Sequence, residues 1–270
     1  MTTQVQHLIY QAPYRTIFAV VTDDSEFAKN LKAQYGAHLR EGMADGPCKK
    51  VSILREGQQF RVTFEEDSVL VNDPLQAFSS ILFEHTQYDD SILALHGAAV
   101  EWNGKAYLFL AHTSGGKTTL TSYLVSHGFG YLSDDCILLD RKTLDVFPSP
   151  KPVHLRYGGL NILRKLGIDP SCEMVGTPPN ERYVFEPDNV INGPLPLGEV
   201  FFIERTESEN SMEELPANER IEKLMKSPIT PYAVSREYLR VLLRLAGKGC
   251  RILHYSDMDY VRKVVQKQTF

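Results

Sequence analysis

The sequence lacks any hydrophobic run that approaches the roughly 18 residues a membrane-spanning helix needs. Residues 1–7, Met-Thr-Thr-Gln-Val-Gln-His, contain neither the basic stretch nor the apolar core of a signal peptide. Both absences argue against a membrane or secreted protein, and we expect a cytoplasmic protein with no membrane partner.

Cysteine is scarce and lacks metal-binding spacing. The four cysteines, Cys48, Cys136, Cys172 and Cys250, form no C-x-x-C pair, so neither a zinc site nor a disulfide framework is expected. Positive charge is also in deficit, since the formal net charge is -5. This balance argues against a general nucleic-acid surface, and no nucleic-acid partner is expected.

The composition is that of an ordinary globular protein, with 43% hydrophobic and 23% charged residues in a chain of 270. This length permits one large domain or two unequal ones. We predict a β-rich part over residues 1–88, which serves as a scaffold or a substrate-docking layer, and a catalytic domain over residues 89–270. One continuous domain is the alternative.

Alternating patterns predict the elements of the first part. A strand is expected at residues 14–21, a helix at 25–35 that Gly36 closes, and an antiparallel meander at 51–55, 59–64 and 69–71. Asp73 and Pro74 are typical of a helix start and predict a helix over 75–86.

The second part opens with two predicted strands, 93–102 and 105–110, which Asn103-Gly104 joins in a type I′ hairpin. Further strands are predicted at 136–140, 198–204 and 251–255, and helices at 161–166, 221–225, 236–245 and 260–265. Residues 207–214 are expected to be an acidic loop. The predicted class is α/β with α+β character and a mixed sheet.

A small-residue loop follows the second hairpin strand and precedes a helix. Its residues Thr113, Ser114, Gly115, Gly116, Lys117, Thr118 and Thr119 form the sequence of a phosphate-binding loop. Backbone amides and a helix N-terminus would converge on phosphate, Lys117 would neutralise its charge, and Thr118 would ligate magnesium. The pattern G-x-x-x-x-G-K-[ST] is degenerate, since Ala111 stands in place of its first glycine. A glycine-rich turn without a ligand is the alternative.

Two carboxylates, Asp134 and Asp135, lie between apolar strand residues one short crossover after this loop. Phosphoryl transfer needs a positioned nucleotide, charge neutralisation and a group that takes the acceptor proton. We therefore predict one carboxylate as the base and the other as a metal or orienting group, against the alternative of a turn or a helix cap. His96 lies beside the strands that deliver the loop, although a lone histidine is more often structural.

In this order and at these separations, His96-Gly97, the hairpin, Gly116-Lys117-Thr118 and Asp134-Asp135 resemble the catalytic core of the HPr kinase/phosphorylase family. The whole chain most resembles its stand-alone members in peptide-natural-product clusters, where lasso-peptide kinases phosphorylate a serine of the precursor peptide. The resemblance implies a PEP carboxykinase-like fold and the use of ATP and Mg²⁺. It is strongest over residues 95–140.

The same resemblance implies roles for individual residues. Lys117 would bind the β- and γ-phosphates, Thr118 would hold magnesium, and Asp134 would be the base. Asp135 would support the metal or His96, His96 would lie against the transferring group, and Arg156 would lie near the phosphates. Thr119 stands where the bifunctional members have an acidic residue, and their second glycine- and arginine-rich signature is absent downstream. These departures argue against phosphorolysis and against HPr as the substrate.

The leading hypothesis is an ATP-dependent kinase that phosphorylates a serine of a peptide or protein, most specifically a ribosomal lasso-peptide precursor. A small-molecule hydroxyl kinase is one alternative. A nucleotide-binding regulatory protein without turnover is another, motivated by Ala111 and Thr119.

Overall fold

The computed structural model describes residues 5–11, 17–87, 91–112, 114–175, 181–227 and 236–267. These residues form helices and mixed sheets, so the predicted α/β class is confirmed. The chain divides into two compact units, Met1–Asp89 and Asp90–Phe270. Among the described residues, no helix combines the length and the apolar character that crossing a membrane requires.

The N-terminal unit is a six-stranded sheet with two helices. Its elements are β1 (Gln6–Gln11), β2 (Ile17–Thr22), α1 (Ser25–Tyr35), β3 (Leu39–Glu41), β4 (Lys49–Glu56), β5 (Gln59–Phe64), β6 (Asp67–Val71) and α2 (Pro74–Gln87). The strand order is β3-β1-β2-β4-β5-β6. The strands from β4 to β6 form the predicted antiparallel meander.

Local capping explains both helix starts of this unit. The Asp24 side chain accepts a hydrogen bond from the Phe27 amide (2.7 Å), so α1 begins at Ser25 as predicted. The Asp73 carboxylate accepts from the amides of Leu75 and Gln76, which fixes the start of α2. Residues 14–16 of the first predicted strand lie outside the described residues.

The C-terminal unit is built on a second six-stranded sheet, of order β10-β8-β9-β16-β18-β17, and two three-stranded sheets, β12-β11-β7 and β13-β15-β14. Its strands are β7 (Ile92–His96), β8 (Ala98–Trp102), β9 (Lys105–Leu110), β10 (Gly130–Ser133), β11 (Cys136–Asp140), β12 (Val146–Phe147), β13 (Val153–Leu155), β14 (Glu173–Val175), β15 (Arg182–Phe185), β16 (Leu197–Arg205), β17 (Ser211–Glu214) and β18 (Cys250–Tyr255). Its helices are α3 (Lys117–Ser126), α4 (Tyr157–Lys165), α5 (Ala217–Met225), α6 (Arg236–Gly247) and α7 (Met258–Lys267).

Strand β9 lies at the centre of this unit and has mixed neighbours. It pairs antiparallel with β8 and parallel with β16. Alternate residues of β9 enter two hydrophobic clusters, one with α5 and α6 and the other with α3, α4 and α7. The hairpin between β8 and β9 is the predicted type I′ turn, because Asn103 and Gly104 both have positive φ (49° and 74°).

The prediction of one strand over 93–102 is wrong. The chain forms two strands, β7 and β8, which belong to different sheets and part at Gly97. The acidic segment 207–214 is also not all loop, since Ser211–Glu214 pairs with β18 as an edge strand. Helix α4 begins at Tyr157, earlier than the predicted residue 161.

Gly97 lies where the two sheets part, and the surrounding residues leave no space there for a side chain. We expect Gly97→Ala to lower the free energy of unfolding of the C-terminal unit by about 1–3 kcal/mol. The added methyl group would lie 2.5 Å from Leu110 Cδ2, 2.7 Å from Ile137 Cδ1 and 2.9 Å from the Phe109 carbonyl oxygen. Urea unfolding followed by the fluorescence of Trp102, the single tryptophan, measures this change.

Gly158→Ala is the matched control, because Gly158 lies in α4 with nothing within 4 Å of the new methyl group. It should leave the unfolding free energy unchanged or raise it by up to about 1 kcal/mol. Equal effects of the two substitutions would contradict the close packing at Gly97.

Candidate functional site

The candidate site lies where two neighbouring segments of the chain each cross from one sheet to another. The first change is at Gly97, between β7 and β8, and the second is at Asp134–Asp135, between β10 and β11. The register places His96 opposite Cys136, and the Gly97 amide donates to the Asp135 carbonyl (3.4 Å). The structure therefore brings His96 and the two carboxylates together, although 38 or more positions separate them in the sequence.

The predicted phosphate loop lies next to this corner, because β9 ends at Leu110 beside Gly97. The Gly115 amide donates to the His112 carbonyl (3.0 Å), and a Cβ on Gly115 would lie 2.8 Å from Ala111 Cβ. Ser114 and Gly116 have φ of 67° and 85°, in the left-handed region. Loops that store such strain are frequent at ligand sites. Thr113 lies outside the described residues.

Helix α3 starts at the end of this loop with its N-terminus uncapped. Gly116 precedes the helix and provides no side-chain hydrogen bond to the first amides. An uncapped helix N-terminus offers free N–H donors and the positive end of the helix dipole. This end of α3 is therefore suited to bind a phosphate group.

Lys117 is the first residue of α3, and its side chain is buried (7% exposed). Its Nζ donates to the carbonyl oxygens of Ala111 (3.0 Å) and His112 (3.1 Å). Burial lowers the pKa of this ammonium, while the carboxylates of Asp135 and Asp134 act in the opposite direction. The ammonium is thus hydrogen-bonded to the loop carbonyls and lies within the electrostatic field of the two carboxylates.

Asp134 carries a carboxylate in an unfavourable environment. Its Oδ1 is buried and has no hydrogen-bond partner in the described part of the chain. Burial raises the pKa of Asp134 to about 6, and hydrogen bonding from Thr118 partly offsets this effect. A carboxylate with this pKa is mostly ionised near pH 7 and is a stronger base than an ordinary aspartate.

Asp135 lies in a different environment, next to His96. The imidazole Nδ1 lies 3.1 Å from both the carboxylate Oδ1 and the backbone oxygen of Asp135. This hydrogen bond lowers the pKa of Asp135, so the carboxylate stays ionised. Asp135 also has φ of 85°, which a non-glycine residue seldom adopts. Its side chain is 73% exposed and that of His96 is 34% exposed, so this pair faces solvent.

Arg156 reaches the loop from the start of α4, since its Nη1 donates to Ser114 Oγ (3.2 Å). Thr119 lies against α4, because a Cβ added at Gly159 would lie 2.7 Å from Thr119 Oγ1.

Lys151 is a cation near the site that the sequence did not predict. Ser133 bridges Ser149 in parallel, so the chain two residues further on brings Lys151 alongside Asp135. The Tyr131 hydroxyl donates to the Lys151 carbonyl (2.9 Å), and Pro150 and Pro152 flank the residue. The charge of Lys151 contributes to the lowered pKa of Asp135. The only signal in the sequence is a lysine between two prolines, which does not specify this location.

These groups fit a nucleotide with magnesium. No group of three or more His, Cys, Asp or Glu side chains in the described ranges could hold a metal alone. Magnesium usually takes one or two protein oxygens and completes its shell with phosphate oxygens and water. The Thr118 hydroxyl at the start of α3 and the ionised carboxylate of Asp135 are suitable protein ligands.

Comparison with known proteins gives a distant likeness. No protein-family model and no curated protein matches the chain. The chain is similar in structure to the "Hpr(Ser) kinase/phosphatase from Coxiella burnetii", with 9% sequence identity and a TM-score of 0.33. The match covers 66% of this chain and 99% of that chain. At this distance, function has to be judged from the residues of the site.

The raised pKa of Asp134 predicts that its charge destabilises the fold. We expect Asp134→Asn to raise the thermal midpoint of the C-terminal unit at pH about 8, where the wild-type carboxylate is ionised. As the pH falls through about 6, the folded wild type takes up a proton before the unfolded chain does. The difference between the thermal midpoints of the variant and the wild type therefore narrows. It should vanish below the ordinary aspartate pKa of 3.8. Trp102 fluorescence during heating at several pH values measures this.

Asp140→Asn is the control of opposite sign. Burial acts to raise the pKa of Asp140, but hydrogen bonds from the amides of Thr143 and Lys142 outweigh it and lower the pKa. This substitution should therefore lower the midpoint at pH about 7. A lower midpoint in Asp134→Asn at pH about 8 would show that the carboxylate is stabilised, contrary to its burial.

Proposed function

We propose that the chain is an ATP-dependent kinase that transfers the γ-phosphoryl group to a serine hydroxyl of a peptide or protein. The observation that carries the proposal is Asp134, whose carboxylate has one buried, unpaired oxygen, receives a hydrogen bond from Thr118 and lies within the field of Lys117. A nucleotide-binding loop alone does not need such a group, whereas phosphoryl transfer to an alcohol needs a base near the γ-phosphate. We assign this activity to the C-terminal unit, which contains all of these residues.

In the proposed reaction the serine oxygen attacks the γ-phosphorus. The bond from that phosphorus to the β–γ bridging oxygen breaks, and its electron pair leaves with ADP. The acceptor proton moves to Asp134, whose raised pKa suits a base at neutral pH. The amides at the start of α3 and the Lys117 ammonium bind phosphate oxygens, which requires Nζ to exchange its contacts with the carbonyls of Ala111 and His112.

His96 and Asp135 act as a pair in this proposal. Asp135 orients the imidazole through Nδ1, which leaves the other ring nitrogen for the transferring group. Thr118 and Asp135 would hold Mg²⁺, which neutralises phosphate charge when bound. Arg156 adds positive charge at the loop side of the site.

The exposure of the site supports a macromolecular acceptor. Metabolite-binding pockets usually enclose most of their ligand. The outward-facing Asp135 and His96 instead suit a hydroxyl presented on a chain. A ribosomal precursor peptide, such as that of a lasso peptide, is the specific acceptor that we propose, and its support is the sequence resemblance alone. The expected cytoplasmic location fits the use of ATP.

Transfer from labelled ATP and Mg²⁺ to a library of serine-containing peptides tests this function. We expect Asp134→Asn to lower the transfer rate by about 100-fold or more, since it removes the base. It should leave the affinity for a fluorescent ATP analogue nearly unchanged. Lys117→Ala should lower both the transfer rate and the affinity for the ATP analogue, because it removes a buried charge from the phosphate loop.

Lys142→Ala is the control, because Lys142 is an exposed lysine of the same unit. Its transfer rate and nucleotide affinity should equal those of the wild type. Transfer that persists in Asp134→Asn would refute the role of this carboxylate. Tight nucleotide binding without transfer to any peptide would instead favour a regulatory protein.

A further inference from the structure

The N-terminal unit ends its sheet with an unusually accessible edge strand. Strand β6 pairs with β5 on one side, and no described residue pairs with its other side. Its first four residues are exposed, including Val69 (56%) and Leu70 (44%). The opposite edge of the same sheet is the three-residue strand β3. The open edge is therefore the longer of the two.

Proteins usually protect such an edge with lysine, proline, a bulge or a very short strand. Strand β6 has no lysine, proline or bulge and carries a charge only at its first residue, since its sequence is Asp-Ser-Val-Leu-Val and its register with β5 is continuous over all five residues. An unprotected edge that carries exposed apolar side chains offers both the backbone groups and the contacts for strand addition.

The register shows which backbone groups of β6 are free. Glu65 and Glu66 form the two-residue turn between β5 and β6, so Phe64 and Asp67 flank the turn and pair across it. Hydrogen-bonded and non-hydrogen-bonded pairs alternate along an antiparallel ladder. The amide and carbonyl groups of Ser68 and Leu70 therefore point away from β5, toward the open edge.

Negative charge lies at both ends of this strand. Glu65, Glu66 and Asp67 are exposed at its start, and the described ion pairs do not include them. Asp73 follows its end and keeps its carboxylate at the start of α2. An added strand would meet apolar side chains in the middle and carboxylates at each end.

This charge pattern disfavours a second copy of the chain as the added strand. An antiparallel pair of two β6 strands that overlaps all five residues is centred on Val69. It places Glu65 of each copy against Asp73 of the other, and like charges in facing positions are destabilising. A strand with cations at these positions would be attracted instead.

We propose that β6 is a docking strand for an extended peptide segment with alternating apolar side chains and lysine or arginine at its ends. The segment adds to the open edge through the backbone groups of Ser68 and Leu70. In the proposed function this segment is part of the phosphoryl acceptor, and that assignment rests on the proposed function, whereas the docking itself does not.

A fluorescently labelled peptide, Lys-Val-Thr-Val-Thr-Val-Lys, is a direct probe, and its anisotropy with the full chain is measured without nucleotide. A peptide with glutamate in place of both lysines should bind about tenfold more weakly or not measurably. Glu66→Lys should weaken binding of the basic peptide about fivefold. Added salt should reduce the affinity of the wild type.

Ser68→Pro tests the backbone contact, because it removes an outward N–H and no backbone hydrogen bond to β5, although it also removes the side-chain hydrogen bond that Ser68 Oγ accepts from Thr63 Oγ1 (3.2 Å). It should weaken binding about threefold to tenfold. Leu70→Lys keeps the backbone donors and adds a repelling cation, so it gives a second test if the proline variant fails to fold. Circular dichroism melting checks each fold. Glu207→Lys, an exposed reversal in another acidic segment, is the matched control and should bind like the wild type.

Three results would overturn the proposal. One is equal binding of the basic and acidic peptides, and another is unchanged binding in both Glu66→Lys and Leu70→Lys. The third is a concentration-dependent dimer in sedimentation that Leu70→Lys abolishes, which would make a second copy the occupant. Because the assay contains no ATP, a failure here is distinct from a failure of phosphoryl transfer.

Discussion

The site depends on how the chain accommodates the buried ammonium of Lys117. A buried charge without partners is strongly unfavourable. Here the carbonyls of Ala111 and His112 accept its protons, and the two carboxylates of the turn supply compensating charge. These contacts require the loop to turn its carbonyls inward, and the left-handed residues Ser114 and Gly116 complete the turn into α3. The strained loop and the charge balance are thus two aspects of one constraint.

The two sheets of the C-terminal unit supply the geometry that this balance needs. Because the chain changes sheets at Gly97 and again at Asp134–Asp135, the two crossings face each other. The resulting corner gives the adjacent carboxylates different surroundings. Asp134 is turned inward with a raised pKa, and Asp135 is turned outward with a lowered pKa. Two neighbouring aspartates with separated pKa values can serve as base and orienting group.

Local signals were sufficient for several elements of the fold. Asp73 specified the start of α2, the amphipathic pattern and Gly36 specified α1, and Asn103-Gly104 specified a hairpin, because these effects act within a few residues. The break at Gly97 could not be predicted in this way. The apolar pattern continues through it, and periodicity does not say to which sheet a strand belongs.

Predictability at the site follows the same division between local and long-range effects. The loop and the two aspartates were predicted from the strands that they adjoin, and His96 from its place beside the strands that deliver the loop. Lys151 was missed because a parallel bridge at Ser149 brings it alongside Asp135. Strand β17 was missed for another reason, since an acidic edge strand has no apolar pattern to reveal it.

Ala111 occupies the position where the usual phosphate loop has glycine, and the geometry explains why a methyl group is tolerated there. Ala111 is not among the residues with positive φ, so its backbone does not require glycine. What this position supplies is a carbonyl oxygen to Lys117, which any residue has. The methyl group instead packs toward Gly115, where a second Cβ would lie only 2.8 Å away. A small residue is therefore required at Gly115, and Ala111 is compatible with the backbone of the loop that we propose binds phosphate.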